Sequence, residues 1–170
     1  FGIGMVLVVN ALRAPFGANM YTINHNKTIE IVNFLLERYC SLGYPVDIKE
    51  TTKVLSLTKN DVLISGVCID KATDGRIFPY TVMDNFLEEL MCGESCCSVG
   101  RFVGNSKMTF KDIIFFWSYI HQFMLSEGVT RLLSTATEKH AKHYSNLLNW
   151  EVYSSPIYVP EYRVRARLLK

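Results

Sequence analysis

The segment Glu94–Trp150, ESCCSVGRFVGNSKMTFKDIIFFWSYIHQFMLSEGVTRLLSTATEKHAKHYSNLLNW, decides the fold. It reads as strand, long helix, strand, capped helix and the start of a further strand. In Cys97-Ser98-Val99-Gly100-Arg101-Phe102-Val103, apolar residues alternate with Ser98, Gly100 and Arg101, which is the period of a strand with one buried face. Gly104-Asn105-Ser106 breaks the alternation, and Thr109 or Ser106 can cap the helix that follows. There Ile113, Phe116, Trp117, Ile120, Phe123 and Met124 recur at three- and four-residue intervals until Gly128 stops the pattern.

Val129 to Ala136 forms the second strand of the segment. Thr135-Ala136-Thr137-Glu138 fits a capping box led by the Thr135 hydroxyl, which predicts a helix starting near Ala136 with Ala141, Tyr144, Leu147 and Leu148 inward. Asn149-Trp150 ends that helix, and Glu151-Val152-Tyr153 opens a new strand. Crossovers of about a dozen residues between strands call for a sheet covered by helices. The expected class is α/β (α+β), a single-domain mixed central sheet with helices on both faces.

Outside the segment, Asn26 can cap a helix in which Ile29, Val32, Leu35, Leu36 and Tyr39 recur, closed by Gly43-Tyr44-Pro45. Val54 to Leu57 is a short strand, and Asp61 to Asp70 a longer one with a break at Ser65-Gly66. After a turn at 71–75, Arg76-Ile77-Phe78-Pro79-Tyr80-Thr81 resumes an extended segment, and Val82 to Leu90 reads as a short helix. The tail from Ile157 to Leu169 reads as one final strand with Arg163, Arg165 and Arg167 on one face, either a basic stripe or a solvated edge.

The chain has 170 residues, 49% of them hydrophobic, enough for one core, so residues 20–170 are expected to form a single domain. Residues 1–19 are set apart as an uncertain N-terminal segment, an edge strand or a remnant. Phe1 to Val9 is apolar but too short to span a bilayer. Eighteen Lys and Arg against sixteen Asp and Glu leave a charge of +2, too little to point to nucleic acid. The five cysteines form no paired C-x-x-C modules, which favours reduced thiols in a cytoplasmic protein. His140 and His143 are three apart but lack a third ligand, so they read as solvent-facing histidines, and no metal is expected. The sequence has no G-x-S-x-G elbow, phosphate loop or G-x-G-x-x-G run, which removes support for nucleophilic-serine, nucleotide-hydrolysing and dinucleotide chemistry.

The order of Arg76 to Thr81, a short helical segment reaching Phe86, and then Ser98-Val99-Gly100-Arg101-Phe102-Val103 resembles the acyl-homoserine-lactone synthases, within the superfamily of Gcn5-related N-acetyltransferases. Those synthases carry an Arg-x-x-Pro-Thr-Thr-like run, a Glu-x-Ser-Arg-Phe strand, a long helix, a strand ending in a Thr-rich turn, and a helix finishing in Gly-Trp or Gly-Phe. Thr135-Ala136-Thr137 and Leu148-Asn149-Trp150 occupy the last two places. The resemblance covers Asp61 to Trp150, and acyl-amino-acid synthases of the same superfamily match nearly as well. Ser98 stands where the family has glutamate, Gly100 where it has serine, and Asn149 where it has glycine.

The resemblance implies a Gcn5-related N-acetyltransferase-like fold and an N-acyltransferase. It would move an acyl group from an acyl carrier protein or coenzyme A thioester to a small amine of the homoserine-lactone or amino-acid type. The thioester is a substrate, and no cofactor is expected to stay bound. The pantetheine arm would lie between the Ser98 strand and the Arg131 strand, splayed around Arg101 and Thr135, where backbone amides could serve the developing oxyanion. Glu94, or a water held by Ser98, would be the base, because serine cannot act as one unaided at neutral pH.

Arg101 either clamps a carboxylate or organises the site, or it is a structural strand residue paired with Glu94 or Asp112. Arg76, Phe102, Trp117 and Thr135 complete the expected substrate- and acyl-binding set. Phe102, Trp117 and Phe116 also fit a plain core, and Thr135 is a capping hydroxyl first. Two other readings stay open: an acetyl-CoA-dependent N-acetyltransferase, although Val103 to Met108 lacks the usual pyrophosphate-binding pattern, and a non-catalytic member that binds a carrier or another protein.

Overall fold

The computed structural model of the protein describes residues 20–44, 48–71, 95–159 and 163–170. The expected segments at 1–19, 76–81 and 82–90, with Arg76 and Glu94, lie outside the described residues. In chain order the elements are β1 (Tyr21–Asn24), α1 (Ile29–Ser41), β2 (Lys53–Lys59), β3 (Val62–Lys71), β4 (Cys96–Gly104), α2 (Phe110–Ser126), β5 (Arg131–Thr137), α3 (Glu138–Leu148), β6 (Ile157–Val159) and β7 (Val164–Leu169). The strands form one sheet in the order β1-β2-β3-β4-β5-β7-β6.

All neighbouring strands run antiparallel except β4 and β5, which run parallel and are joined through α2. Helices cover both faces. Alternate residues of the central strands go to opposite sides, so Val54 and Cys68 pack with Ile31 and Leu35 of α1, whereas Leu55, Val67 and Ile69 pack with Phe116, Trp117 and Ile120 of α2. Tyr144 and Leu148 of α3 join the α2 side. Among the described residues no helix is long and apolar enough to cross a membrane.

The long helix starts at Thr109, where a full capping box forms: Asp112 N donates to the Thr109 hydroxyl, and Thr109 N donates to Asp112 Oδ2 at 2.7 Å. Asp112 is fully buried, yet well partnered. Lys59 Nζ lies 3.0 and 3.1 Å from its two oxygens, and the Tyr21 hydroxyl donates to it at 2.5 Å. Burial works to raise this carboxyl, but the hydrogen bonds from Tyr21, Thr109 and Lys59 win and hold it well below the usual carboxylate range. One side chain thus ties the start of α2 to β1 and β2.

Several local expectations are corrected. Thr28, not Asn26, caps α1, and this register leaves Ile29 80% exposed while Ile31 and Leu35 turn inward. The strand over Ser65-Gly66 is unbroken, because the Ser65 hydroxyl donates to Val103 O at 2.7 Å and Gly66 makes room for Leu35. The capping box at Thr135 does not form. β5 keeps pairing with β7 through Thr137↔Ala166, so ladder bonds hold Thr135 extended, and Thr137 becomes the cap, accepting from His140 N. The expected single tail strand is the hairpin β6 and β7, with Arg163 at φ 51 outside both strands. Arg167 is tied to Glu138 at 3.5 Å and donates to Ser154 O, so the three arginines form no stripe. Val152 makes only an isolated bridge to Leu169, and Leu147 is 48% exposed.

Candidate active site

β4 and β5 share three registered pairs, Cys96↔Arg131, Cys97↔Leu132 and Ser98↔Leu133, and then part. From Ser134 onward β5 pairs with β7, while β4 continues along β3. β4 also carries a bulge. Gly66 pairs with Val103 and Cys68 with Gly100, so Arg101 and Phe102 together face the single residue Val67. Arg101 takes φ 52, a left-handed conformation that a non-glycine residue adopts only when its surroundings hold it there.

The parting opens a cleft of about 720 Å³, with the β4 run Ser98 to Gly104 on one wall and Ser134 to Thr137 of β5 on the other. Backbone groups on the β5 side of β4 have no strand partner among the described residues beyond Ser98. An extended amide-bearing chain can pair with such an edge.

Three of the expected site residues line this cleft on β4, namely Ser98, Arg101 and Phe102, and Trp117 and Thr135 line it from α2 and β5. Arg101 does not pair with Asp112, which is committed to Lys59 and Tyr21. Its guanidinium forms an ion pair with Asp70 of β3, whose other oxygen accepts from the Thr52 hydroxyl at 2.5 Å. The guanidinium also bonds the Cys68 thiol. Burial pushes that thiol up, against the pull of Arg101, so Cys68 stays protonated and is a poor nucleophile.

Phe102 stacks on Trp117 with ring centroids 5.3 Å apart and planes 11° apart. Both rings therefore serve core and cleft together, whereas Phe116 is fully buried core. Freed from capping, the Thr135 hydroxyl is buried in the cleft wall with no hydrogen-bond partner among the described residues. A buried hydroxyl in that state favours a polar ligand group.

Several cleft residues were missed by sequence reasoning. Tyr144 reads as one more inward residue of an amphipathic helix, and only its position behind the slot distinguishes it. Burial pushes its phenol up, so it is protonated at neutral pH and able to donate. His140 and His143, expected to face solvent, are exposed but also line the cleft. His140 Nδ1 lies 3.1 Å from the Thr137 hydroxyl; burial first, then His143 and Lys139, lowers its pKa and keeps it neutral at pH 7. Arg38 and Tyr39, from the end of α1, and Asp70 close the opposite side, and only their position on the sheet's other face reveals them. Among the described residues no three His, Cys, Asp or Glu side chains converge as metal ligands.

No protein-family model matches the sequence, and no curated protein does. Solved structures do match. The N-acyl amino acid synthase FeeM from uncultured soil microbes superposes with a TM-score of 0.75 at 13% identity, covering 89% of this chain and 90% of its own. The acyl-homoserine-lactone synthase LasI gives 0.61 at 14% identity, over 89% and 88% of the two chains. An acyl-CoA N-acyltransferase from Pseudomonas aeruginosa gives 0.58 at 12% identity, over 89% and 98%. The fold is that of the Gcn5-related N-acetyltransferases and their acyl-synthase relatives, as the sequence resemblance implied.

Proposed function

We propose that a chain with this fold acts as an N-acyltransferase, moving an acyl group from a pantetheine thioester to a small amine of the homoserine-lactone or amino-acid type. The observation that carries the reading is the parting of β4 and β5 beyond Ser98 and Leu133, which opens a largely apolar slot between the two strands. The pantetheine amides would run along β4 within the slot, and the thioester carbonyl would accept from backbone amides near the Arg101–Phe102 bulge.

In this scheme the amine nitrogen attacks the thioester carbon and a tetrahedral oxyanion forms. The carbon–sulfur bond then breaks, and the leaving sulfur takes its proton from Tyr144, whose buried phenol stays protonated. Glu94, or a water held by Ser98, accepts the proton of the attacking amine. Arg101, fixed by Asp70, shapes the bulge. Thr135 offers its hydroxyl to the arm, and Phe102 and Trp117 line the start of the acyl path. Arg76 belongs to the same proposal on the strength of the sequence resemblance.

For the donor, a carrier protein fits better than free coenzyme A. A coenzyme pyrophosphate needs open amides at the turn before α2. Here Lys107 N donates to Asn105 Oδ1 at 2.9 Å, Met108 N to Asn105 O at 3.1 Å, and Thr109 N to Asp112, whose carboxylate already occupies the helix start. Lys139, His140, Lys142 and His143 are exposed along α3, two of them on the cleft wall, and suit an acidic carrier. A cytoplasmic location, where such thioesters are made, accords with the free thiols Cys40, Cys68, Cys96 and Cys97.

The test pairs acyl carrier protein and coenzyme A thioesters of matched chain length with a panel of amino acids and homoserine lactone, read by mass spectrometry. N-acyl product from carrier thioesters is expected. Acetyl transfer alone would reassign the protein to the acetyltransferases, and no product with any pair would leave a non-catalytic binding member.

A further inference from the structure

Ser98 is the last residue of β4 that pairs with β5, so it marks the point where the slot opens, and on its other side it is registered directly with Asp70 of β3. Residues so paired on antiparallel strands send their side chains to the same face, with Cβ atoms about 5 Å apart. Cys68, two residues before Asp70, packs with Ile31 and Leu35 of α1, so that face is the one α1 covers. Phe102, Trp117 and Tyr144 pack on the opposite face.

Acyl transfer needs a group that takes a proton from the attacking amine, and the Ser98 hydroxyl is no base at neutral pH. Asp70 is the one carboxylate among the described residues that line the cleft, and its side chain stays 19% exposed. Its partners leave it capacity. The Thr52 hydroxyl donates to Oδ1 at 2.5 Å and the Arg101 guanidinium to Oδ2, which uses two of the roughly four lone-pair directions a carboxylate offers. Arg101 belongs to the bulge near which the thioester carbonyl is held, so the guanidinium that anchors Asp70 also ties it to the reacting end of the slot.

We propose that Asp70 takes the proton of the attacking amine through the water beside Ser98, so that the acceptor enters from the α1 face while the thioester lies against α2 and α3. This rests on the acyl-transfer reading and chooses among the bases it left open. As the nitrogen–carbon bond forms, one N–H proton passes to the water while the water gives one of its own to Asp70. The carbon–sulfur bond then breaks, and the Tyr144 proton moves to sulfur. Asp70 afterwards releases its proton to solvent and Tyr144 regains one, so the cycle closes on amide and free thiol.

The test separates a proton acceptor from a mere counter-ion of Arg101. Asp70→Ala opens room beside Arg101 for a small anion, and its N-acyl product is measured at saturating thioester and amine with formate or nitrate added at equal concentration. Both are planar monoanions that replace the lost charge, but only formate readily accepts a proton. Formate should raise the variant's kcat about tenfold and nitrate should not, with neither changing the native protein. Equal recovery with both anions marks Asp70 as a counter-ion only and overturns the proposal, as does recovery with neither in the folded variant. Asp70→Asn, of the same shape, carries the test where the alanine variant fails to fold: kcat should fall about 100-fold while KM for the amine stays within about twofold. An unchanged kcat, or a loss carried by KM, overturns the proposal. In each of these failures native turnover persists and the transferase reading stands, whereas a native protein that makes no N-acyl product with any pair takes both down.

Discussion

Arg101 of β4 and Asp70 of β3 form an ion pair across the bulge, and both side chains lie more than four-fifths buried in the cleft wall. Arg101 adopts a left-handed φ of 52 at this point. Asp70→Asn and Arg101→Ala should each cost about 2–3 kcal/mol of stability, since each leaves a largely buried partner without its counter-charge. Turnover should fall on the order of 100-fold in both, the scale expected when a wall that positions substrate shifts. Denaturant midpoints and product formation measure the two effects. Near-normal turnover in Arg101→Ala would remove that residue from the mechanism.

The buried carboxyl of Asp112 predicts an acid limit to stability. Its folded pKa is depressed below the ordinary 3.8. Its contribution is therefore fully present above 3.8 and lost as pH falls from there toward the folded value. Asp112→Asn should cost about 3 kcal/mol at pH 7 and flatten the stability curve below pH 4, read as urea midpoints across the range. A variant as acid-sensitive as the native protein would refute this.

Tyr144→Phe should leave the fold within about 1 kcal/mol of native and reduce kcat on the order of 100-fold, the lower range of general-acid contributions. The phenol is raised above its usual 10, so the protonated donor form persists up to that pH and is lost only above it. A native alkaline limb below pH 10 would belong to another group.

Thr135→Val replaces a buried hydroxyl without a partner among the described residues by a methyl of similar shape. Unfolding midpoints should hold or rise slightly, while the KM for the donor thioester rises by about fivefold if that hydroxyl meets the arm. A loss of stability with unchanged KM would mark the hydroxyl as structural.

His140 should titrate below 6.5, because burial, then His143 and Lys139, disfavours its charge. Imidazole NMR titration measures this directly. His143→Gln should raise the His140 pKa, and a fall would show that their mutual charge is not the cause.

The sequence made the order of elements from β4 to α3 readable, because period-two and period-3.6 patterns sit side by side there with Thr109 and Gly128 as punctuation. It also allowed the slot to be located, with Ser98, Arg101, Phe102, Trp117 and Thr135 on its walls. Choices between equally good local signals were not legible. Two threonines compete to cap α3, and only the ladder to β7, set by residues far along the chain, decides for Thr137. Arg101's partner was hidden for the same reason: Asp70 is distant in sequence and comes alongside only through the register of β3 and β4. The placement of Tyr144 and His140 on the cleft wall depends on what lies opposite α3, which periodicity along a helix does not report.

Among the described residues, three registered pairs join β4 to β5, where the first four strands of the sheet meet the last three. The seam opens beyond those pairs, and an occupant with amides of its own would act as a thread through it. Loading should therefore raise the melting temperature and slow amide exchange on both sides of the gap together. Filling that one opening makes two flaps of cloth behave as a single garment.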